Sequence, residues 1–289
     1  MRFDRFATLR VIHPMRRVAA GRKESCLPVL MYHSISNDAE EGLPYFRTCT
    51  RPDVFARQVK LLTDQGYEIV NLRQGLEWFA KSSQNGSQKD GRKLVVFTFD
   101  DGYRDFLTSA AAVLLEAGAS ATIFLATGHL GMRPQCFEGR ECMSWAEVGE
   151  LYRSGFEFGS HTVTHPKLVD LPWSAIEDEV IHSKEDIEQH LGDAMGGFAF
   201  PYAFPQADKV WAKRFVELLE RAGYQYNATT VIGRVQRHFS PYLLKRLPVN
   251  SCDDDALLLA KMEGDYDWLE GPQRLFKQLK RVCRPAASR

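Results

Sequence analysis

The sequence lacks a surplus of charge of either sign, a long apolar run and a Cys-x-x-Cys pair. Its 37 Lys and Arg residues equal its 37 Asp and Glu residues, so there is no broad basic field for nucleic acid. No segment approaches the roughly 18 consecutive apolar residues of a transmembrane helix. The six cysteines include no Cys-x-x-Cys pair, which is typical of a reducing compartment rather than of a disulfide framework. Cys136 and Cys142 are close enough in sequence to pair or to bind a metal, but we expect neither.

The first 25 residues are predicted to form a basic N-terminal arm. Within residues 1–23, seven Arg or Lys residues accompany a single acid, Asp4. Because arginines interrupt every apolar stretch, the apolar core of a secretory signal is missing, and we predict a cytoplasmic location. A basic amphipathic segment is also compatible with weak contact to an anionic membrane surface, here the inner membrane face. A loosely docked arm is the simpler interpretation and the one we favour.

Residues 26–289 are predicted to form one α/β domain with a helical extension at its C-terminus. Strand-like and helix-like patterns alternate along the chain, which predicts parallel strands joined by crossover helices. Chemistry in barrels of this kind gathers at the C-terminal ends of the strands. The strand-like segments are 29–32, 67–70, 95–99, 121–125, 198–200 and 226–229, and the helix-like segments are 52–65, 72–79, 106–116, 144–155, 174–191, 209–221 and 254–262.

The most informative segment is residues 95–102 (VVFTFDDG). Its β-branched and aromatic residues predict a buried strand, and two adjacent carboxylates, Asp100 and Asp101, follow at its end. Adjacent acids at the tip of a buried strand repel each other and are costly to desolvate. A fold keeps such a pair when a metal or a cation offsets the charge, although a solvated Asp-Asp-Gly turn is the alternative.

A second ligand-rich segment is 156–166 (FEFGSHTVTHP). Because His161 and His165 are four residues apart, one helical turn would place both imidazoles on one face. Neutral imidazole is a common ligand of zinc and of other divalent transition metals. Two histidines satisfied by hydrogen bonds in a turn are the alternative for this segment alone. Taken with the two carboxylates, it predicts a two-histidine, one-carboxylate metal site with open positions for water and substrate.

These two segments together resemble the polysaccharide deacetylases of the NodB-homology type, carbohydrate esterase family four. The resemblance extends from about residue 27 to about residue 250 and implies a distorted (β/α)7 barrel. Four further pieces resemble a subgroup that includes the deacetylases of poly-N-acetylglucosamine and that has an N-terminal Met-Tyr-His motif. They are residues 30–35 (LMYHSI), 143–145 (MSW), 198–202 (FAFPY) and 245–249 (KRLPV).

The resemblance implies a reaction and a set of roles. Water attacks an N-acetyl amide, and a divalent metal held by Asp101, His161 and His165 polarises the carbonyl and acidifies that water. We expect zinc, with cobalt, nickel or manganese as alternatives. Asp100, which is unligated in the family, takes the proton from the water as general base.

Two departures from the family pattern affect the remaining roles. The family's late histidine is missing, since no histidine follows His238, and His33 is our candidate for the acid that protonates the leaving amine. A core histidine at a strand end is the alternative. The family's usual arginine, two residues before the third motif, is replaced by Gly196. Arg246 is our candidate partner for Asp100, with a surface arginine as the equal alternative.

Four further residues are predicted to contact substrate. Pro201 and Tyr202 belong to the third motif, and the backbone N–H of Tyr202 would help to hold the oxyanion, as the resemblance implies. Tyr103 and Trp145 could line a sugar groove by stacking on pyranose rings, although core packing is the commoner fate of aromatic residues.

The sequence leaves three classes of function open. The first is a metal-dependent deacetylase of N-acetylhexosamine-containing glycans or glycan precursors. The second is an amidase or deformylase acting on a small, nucleotide-linked or lipid-linked N-acyl substrate. The third, a non-catalytic carbohydrate-binding barrel, is disfavoured because the ligands and the base are all present. The first two classes share every catalytic residue and differ in the shape of the groove.

Overall fold

The computed structural model describes residues 2–18, 26–84 and 91–275. Twelve strands occur in these ranges, and each is short, as is usual for barrel strands. In chain order they are β1 (Cys26–Leu27), β2 (Val29–Tyr32), β3 (Tyr67–Val70), β4 (Lys93–Phe99), β5 (Thr122–Leu125), β6 (Cys136–Phe137), β7 (Arg140–Glu141), β8 (Glu157–Ser160), β9 (Gly197–Ala199), β10 (Tyr226–Ile232), β11 (Val235–Gln236) and β12 (Leu244–Pro248).

The α-helices lie between these strands and before them. They are α1 (Phe3–Ala7), α2 (His13–Val18), α3 (Pro52–Asp64), α4 (Leu72–Gln84), α5 (Ala111–Glu116), α6 (Trp145–Arg153), α7 (Trp173–Leu191), α8 (Lys209–Arg221) and α9 (Asp255–Glu263). Two π-helical turns, Thr8–Ile12 and Phe106–Ala110, lead into α2 and α5. Short 3-10 turns are found at Pro44–Phe46, Thr127–His129, Leu168–Asp170, Pro241–Leu243 and Asp267–Leu269.

Seven parallel strands close into a barrel. The ring runs β2-β12-β10-β9-β8-β5-β4 and returns to β2, because β2 and β4 also pair with each other. The remaining strand of this sheet, β3, pairs with Lys93–Val96 at the beginning of β4. The predicted (β/α)7 barrel is therefore confirmed.

The interior strands owe their position to continuous apolar character. In β4 every residue after Lys93 is buried, as expected for a strand that is covered on both faces in a parallel sheet. The helices begin and end at the signals that the sequence carries. Ser144 and Glu147 form the predicted capping box of α6, and α7 ends at Gly192, whose φ of 71° is readily adopted by glycine.

Neither β12 nor the separate hairpin of β6 and β7 was predicted. The apolar pattern of β12 is interrupted by Lys245 and Arg246, so the sequence did not indicate a strand there. In the structure Arg246 is only 1% exposed and lies in the wall of the barrel. The hairpin of β6 and β7 was also missed. Its turn residues, Glu138 and Gly139, both have positive φ (49° and 80°), which is the geometry of a tight two-residue hairpin loop.

The described part of the N-terminal arm is helical and packs beside α9. Asp4 and Thr8 are buried, and their side chains accept hydrogen bonds from Tyr266 and Trp268 respectively. The division of the chain at residue 25 stays a prediction. Among the residues that the structure describes, no helix combines the length and the apolar character needed to cross a bilayer.

Candidate active site

The predicted catalytic and metal-binding residues meet at the C-terminal ends of the barrel strands. Asp100 and Asp101 directly follow β4, and His161 directly follows β8. His33 is the first residue after β2, which pairs with β4 in the ring. Parallel strands bring these positions to one end of the barrel, where the loops are free to carry chemistry.

Asp101, His161 and His165 form a compact ligand cluster. Asp101 Oδ1 lies 3.5 Å from His161 Nε2 and 3.4 Å from His165 Nε2. One ligand atom from each of the three residues lies within 4.8 Å of the other two. Two neutral imidazoles and one carboxylate are a donor set suited to zinc and to related divalent metals.

Three properties of the cluster fit a bound cation. Asp101 Oδ1 is buried and has no hydrogen-bond partner among the described residues. Burial and the neighbouring Asp100 charge raise the pKa of Asp101 well above its usual value, so the carboxylate lacks compensation for its charge. His161 Nδ1 lies 2.7 Å from the Ala199 carbonyl, to which it can donate, and this leaves the Nε2 lone pair directed at the cluster.

The two histidines do not share a helical face, so that part of the sequence prediction was wrong. Residues 161–165 form a loop, in which Thr162 and His165 have positive φ (72° and 55°). Glu179 of α7 holds this loop by accepting hydrogen bonds from the backbone N–H groups of Val163 (2.8 Å) and Thr164 (2.9 Å). The loop, rather than a helical turn, brings both imidazoles to Asp101.

Backbone strain is concentrated around the site. In the described part of the chain, five non-glycine residues have positive φ, a conformation that costs energy and often marks functional positions. All five lie in segments that surround the cluster. They are Asp101, Glu138, Thr162, His165 and Tyr202.

Asp100 has a different environment from Asp101. The guanidinium of Arg246 approaches both of its oxygens, with Nη1 2.6 Å from Oδ1 and Nη2 2.8 Å from Oδ2. Arg246 also donates to the Thr229 carbonyl and to Thr98 Oγ1. Burial would raise the pKa of Asp100, but the Arg246 charge outweighs it and holds that pKa well below its usual value. Asp100 is thus ionised and does not need a metal to remain so.

His33 lies at the edge of the same site. Its Nε2 atom is 3.9 Å from Asp100 Oδ2, and its side chain is 21% exposed. Burial lowers the pKa of His33 to about 4, so the imidazole is neutral at neutral pH. The same cause lowers the pKa of His165 to about 3, which leaves it unprotonated and available as a ligand.

The predicted substrate residues are divided between the site and the core. The Tyr202 ring is 43% exposed and its centroid lies 4.7 Å from that of His165, with Pro201 buried beside it. Tyr103 is buried near Asp101, and burial, followed by the Asp101 charge, raises the pKa of the Tyr103 hydroxyl. Trp145 is instead stacked on His190 at 3.9 Å between ring centroids, so core packing accounts for it.

Comparisons with known proteins match the part of the chain that carries the site. The family model for polysaccharide deacetylases matches residues 87–227, which include both aspartates, both histidines of the cluster and the Pro201-Tyr202 pair. This chain carries a polysaccharide deacetylase domain. The family hydrolyses N-acetyl amide bonds, and the chain is accordingly an enzyme of the hydrolase class.

Relatives and solved structures extend the match beyond residues 87–227. YxkH of Bacillus subtilis, which carries the same family name, is 27% identical over 79% of this chain and 73% of its own length. The poly-β-1,6-N-acetyl-D-glucosamine N-deacetylase of Staphylococcus aureus is 23% identical over 74% of this chain and 71% of its own. The structure of IcaB from Ammonifex degensii superposes with a TM-score of 0.65 at 25% identity, covering 83% of this chain and 98% of that one. Streptococcus pyogenes deacetylase PplD has the same fold, with a TM-score of 0.66 at 23% identity, covering 83% and 99%.

The deacetylase domain clarifies one departure seen in the sequence. Gly196 precedes β9, at the end of the barrel opposite to the aspartates, and a Cβ atom there would lie 2.9 Å from the Gln225 side chain. An arginine at position 196 would therefore lie at the opposite end of the barrel from Asp100. The glycine at this position does not deprive Asp100 of a partner.

The hairpin of β6 and β7 adds residues that sequence reasoning missed. The Phe137 ring lies 5.2 Å from the His165 ring and stacks on His129 at 4.1 Å, which covers one side of the ligand cluster. The one local signal in the sequence is Gly139, which marks a turn, since the residues on either side of Glu138-Gly139 do not alternate between polar and apolar.

Proposed function

We propose that this protein is a metal-dependent deacetylase that removes N-acetyl groups from N-acetylhexosamine-containing glycans or from their precursors. The observation that carries the proposal is the separation of the two adjacent aspartates. Asp101 faces two histidines, and its Oδ1 has no hydrogen-bond partner within the part of the chain that the structure describes, whereas both oxygens of Asp100 are held by Arg246. The poly-N-acetylglucosamine deacetylase among the relatives supports the choice of substrate class.

Asp101, His161 and His165 would hold the metal. Zinc suits this donor set, and cobalt, nickel or manganese are the alternatives. When bound, the metal would polarise the amide carbonyl and make the attacking water more acidic. The residues of the chain then have to accept a proton from that water, supply one to the leaving amine and orient the amide.

Asp100 is proposed as the general base. Its carboxylate is ionised at neutral pH, since the Arg246 charge outweighs the effect of burial and lowers its pKa. A carboxylate with so low a pKa is a weak base, and it is adequate only for a water that is already acidified. The pairing with Arg246 also fixes the orientation of the carboxylate, so the proton is accepted at a defined position.

His33 is proposed as the group that protonates the leaving amine. Because burial keeps His33 neutral, it has no stored proton at neutral pH and must receive one during turnover. Asp100 Oδ2 is the nearby source, at 3.9 Å from His33 Nε2. The proton removed from water would thus be returned to the amine within one site, which balances the reaction without an external acid.

Tyr202 and its neighbours are proposed to hold the substrate. Tyr202 lies in the loop that follows β9, where its positive φ turns the backbone away from the strand direction, and its N–H would stabilise the oxyanion. The exposed Tyr202 ring offers a face for a sugar, and Lys167 Nζ lies 5.3 Å from the same ring. Pro201 and Tyr103 would form the walls of the pocket.

The second candidate, an amidase or deformylase on a nucleotide-linked or lipid-linked N-acyl substrate, requires the same catalytic residues. The cytoplasmic location stays a prediction, and it favours precursors over extracellular polymers as substrates. The test is acetate release by the purified protein loaded with zinc or cobalt. N-acetylglucosamine oligomers, a nucleotide sugar and a lipid-linked sugar are compared, with the Asp100→Asn variant as the blank. Metal binding without acetate release from any of them would contradict the proposal.

A further inference from the structure

The inner face of the N-terminal helical segment, residues 3–18, is fastened to the barrel domain. The Arg2 guanidinium donates to Asp4 at 2.7 Å and to Asp253 at 2.9 Å. The hydroxyl of Tyr266 donates at 2.7 Å to Asp4 Oδ2, the same oxygen that Arg2 Nη2 contacts. Residues 4 and 8 point inward together, as positions four apart on a helix do. The segment is thus held in one orientation, and one side of it faces solvent.

The outer face of this segment is unusually apolar. Large apolar side chains that face water contribute no burial free energy to folding, and clusters of them mark interaction surfaces. They recur along the exposed side of the segment from its first turn to its last. These side chains are Phe3 (75% exposed), Phe6 (46%), Val11 (45%) and Met15 (63%).

Basic side chains accompany the apolar ones. Arg10 is exposed. The Arg16 side chain is 44% exposed, although it also pairs with Asp265 at 3.3 Å. The single acid of the segment, Asp4, faces inward and is neutralised by Arg2. An apolar stripe flanked by arginines is the chemistry of a helix that lies flat in the headgroup region of an anionic bilayer. We propose that the outer face of residues 3–18 is a docking surface for an anionic lipid membrane.

The docking surface begins at the catalytic end of the barrel. Asp253, which Arg2 contacts, follows β12 and belongs to the loop at that end. The same loop supports the 3-10 turn after β2, because Asn250 Nδ2 donates to the Pro44 and Arg47 carbonyls at 2.9 and 2.8 Å. That turn exposes two more apolar side chains, Leu43 (68%) and Phe46 (67%).

A membrane bound along this face would lie beside the mouth of the active site. If the proposed function holds, the substrate class this arrangement serves is an N-acetylated sugar carried on a membrane lipid. This last step rests on the proposed deacetylase function, whereas the lipid contact itself does not.

The test measures co-sedimentation of the full chain with vesicles of phosphatidylcholine alone and of phosphatidylcholine with phosphatidylglycerol in equal parts. The variant Phe3→Ser/Phe6→Ser/Met15→Ser changes only outward residues and leaves Asp4 and Thr8 in place. We expect the wild type to partition onto the anionic vesicles, and high salt together with the triple variant to lower the partition coefficient by about tenfold or more. Leu115→Ser is the matched control, since Leu115 is 48% exposed at the end of α5 and lies outside the docking surface.

Several outcomes would overturn the proposal. One is equal sedimentation of the wild type and the triple variant, and another is no binding to either kind of vesicle. A dimer of the wild type in solution that the triple variant abolishes would assign the surface to a second copy instead. Acetate release measured in parallel separates the two proposals, because vesicle binding without activity on any substrate would refute the deacetylase function alone.

Discussion

The Arg246 guanidinium and the Asp100 carboxylate form a two-pronged ion pair in the interior of the barrel, with N···O distances of 2.6 and 2.8 Å. Arg246 lies on β12 and Asp100 follows β4, the two strands that flank β2 in the ring. Both side chains are at most 2% exposed. A buried pair of this kind adds little net stability, because desolvation offsets the attraction, but it becomes costly when one partner is removed.

Replacing Arg246 by Met should therefore destabilise the protein strongly. The substitution leaves the Asp100 charge buried without its cation, and we expect the free energy of unfolding to fall by about 3–5 kcal/mol. Urea unfolding of the metal-free protein measures this loss. The double variant Arg246→Met/Asp100→Asn should recover much of it, since no charge is then left unpaired. Losses that simply add in the double variant would contradict a direct coupling of the two residues.

The same variant should move the pH profile of the enzyme. Without Arg246, burial dominates the environment of Asp100 and its pKa rises. Because a general base must be ionised, activity on the acid side should be lost at higher pH than in the wild type. The measurement is kcat/KM against pH in the folded, metal-loaded variant. An acid limb that stays in place would show that Asp100 is not the base.

The two adjacent aspartates should respond differently to the same substitution. Asp100→Asn removes a proton acceptor but no ligand, so metal binding should persist while kcat falls about 10²- to 10⁴-fold. Asp101→Asn should lose metal affinity by more than the roughly 10- to 100-fold that changes behind the ligands cause. Metal content after dialysis and acetate release separate the two effects. An active Asp100→Asn enzyme would contradict the assigned roles.

The barrel and its ligand cluster were predictable because their signals are local. The buried strand before Asp100 is a continuous apolar run, and the cluster combines Asp-Asp-Gly with His-x-x-x-His. Parallel strand order then brings these two segments together without further information. The geometry of the histidine loop was not predictable from the sequence. It depends on two residues with positive φ and on hydrogen bonds to Glu179, which lies in the next helix, α7.

Other features depend on partners that are distant in sequence. Whether Arg246 faces the barrel or the solvent is decided by Asp100, 146 residues away, and nothing in the segment around Arg246 expresses that choice. Trp145 is of a residue type that often stacks on sugars, but its ring stacks on His190 instead. That contact depends on the packing of α6 against α7, which the local sequence does not show. Which side of residues 3–18 faces outward is likewise decided by a distant contact, the burial of Asp4 against Tyr266.

Glu179 should control metal affinity without touching the metal. Its carboxylate holds the backbone of residues 163 and 164, and thereby the position of His165. Glu179→Ala should weaken metal binding about 10- to 100-fold, as measured by competition with a chelating dye. Glu177→Ala is the matched control on the same helix, because Glu177 is 41% exposed and pairs with Arg221 at the surface. Equal affinities of the two variants would exclude a positioning role for Glu179.

His33 should make the metal-free protein sensitive to acid. Burial lowers the pKa of His33 to about 4 in the folded protein, whereas an unperturbed imidazole titrates near 6.5. Between these values the unfolded chain binds a proton at His33 that the folded chain does not, so this contribution lowers stability as the pH falls. We expect His33→Gln to lose less unfolding free energy than the wild type between neutral pH and about pH 4, as measured by urea unfolding of metal-free samples. Identical pH dependence in the two proteins would show that folding does not shift the pKa of His33.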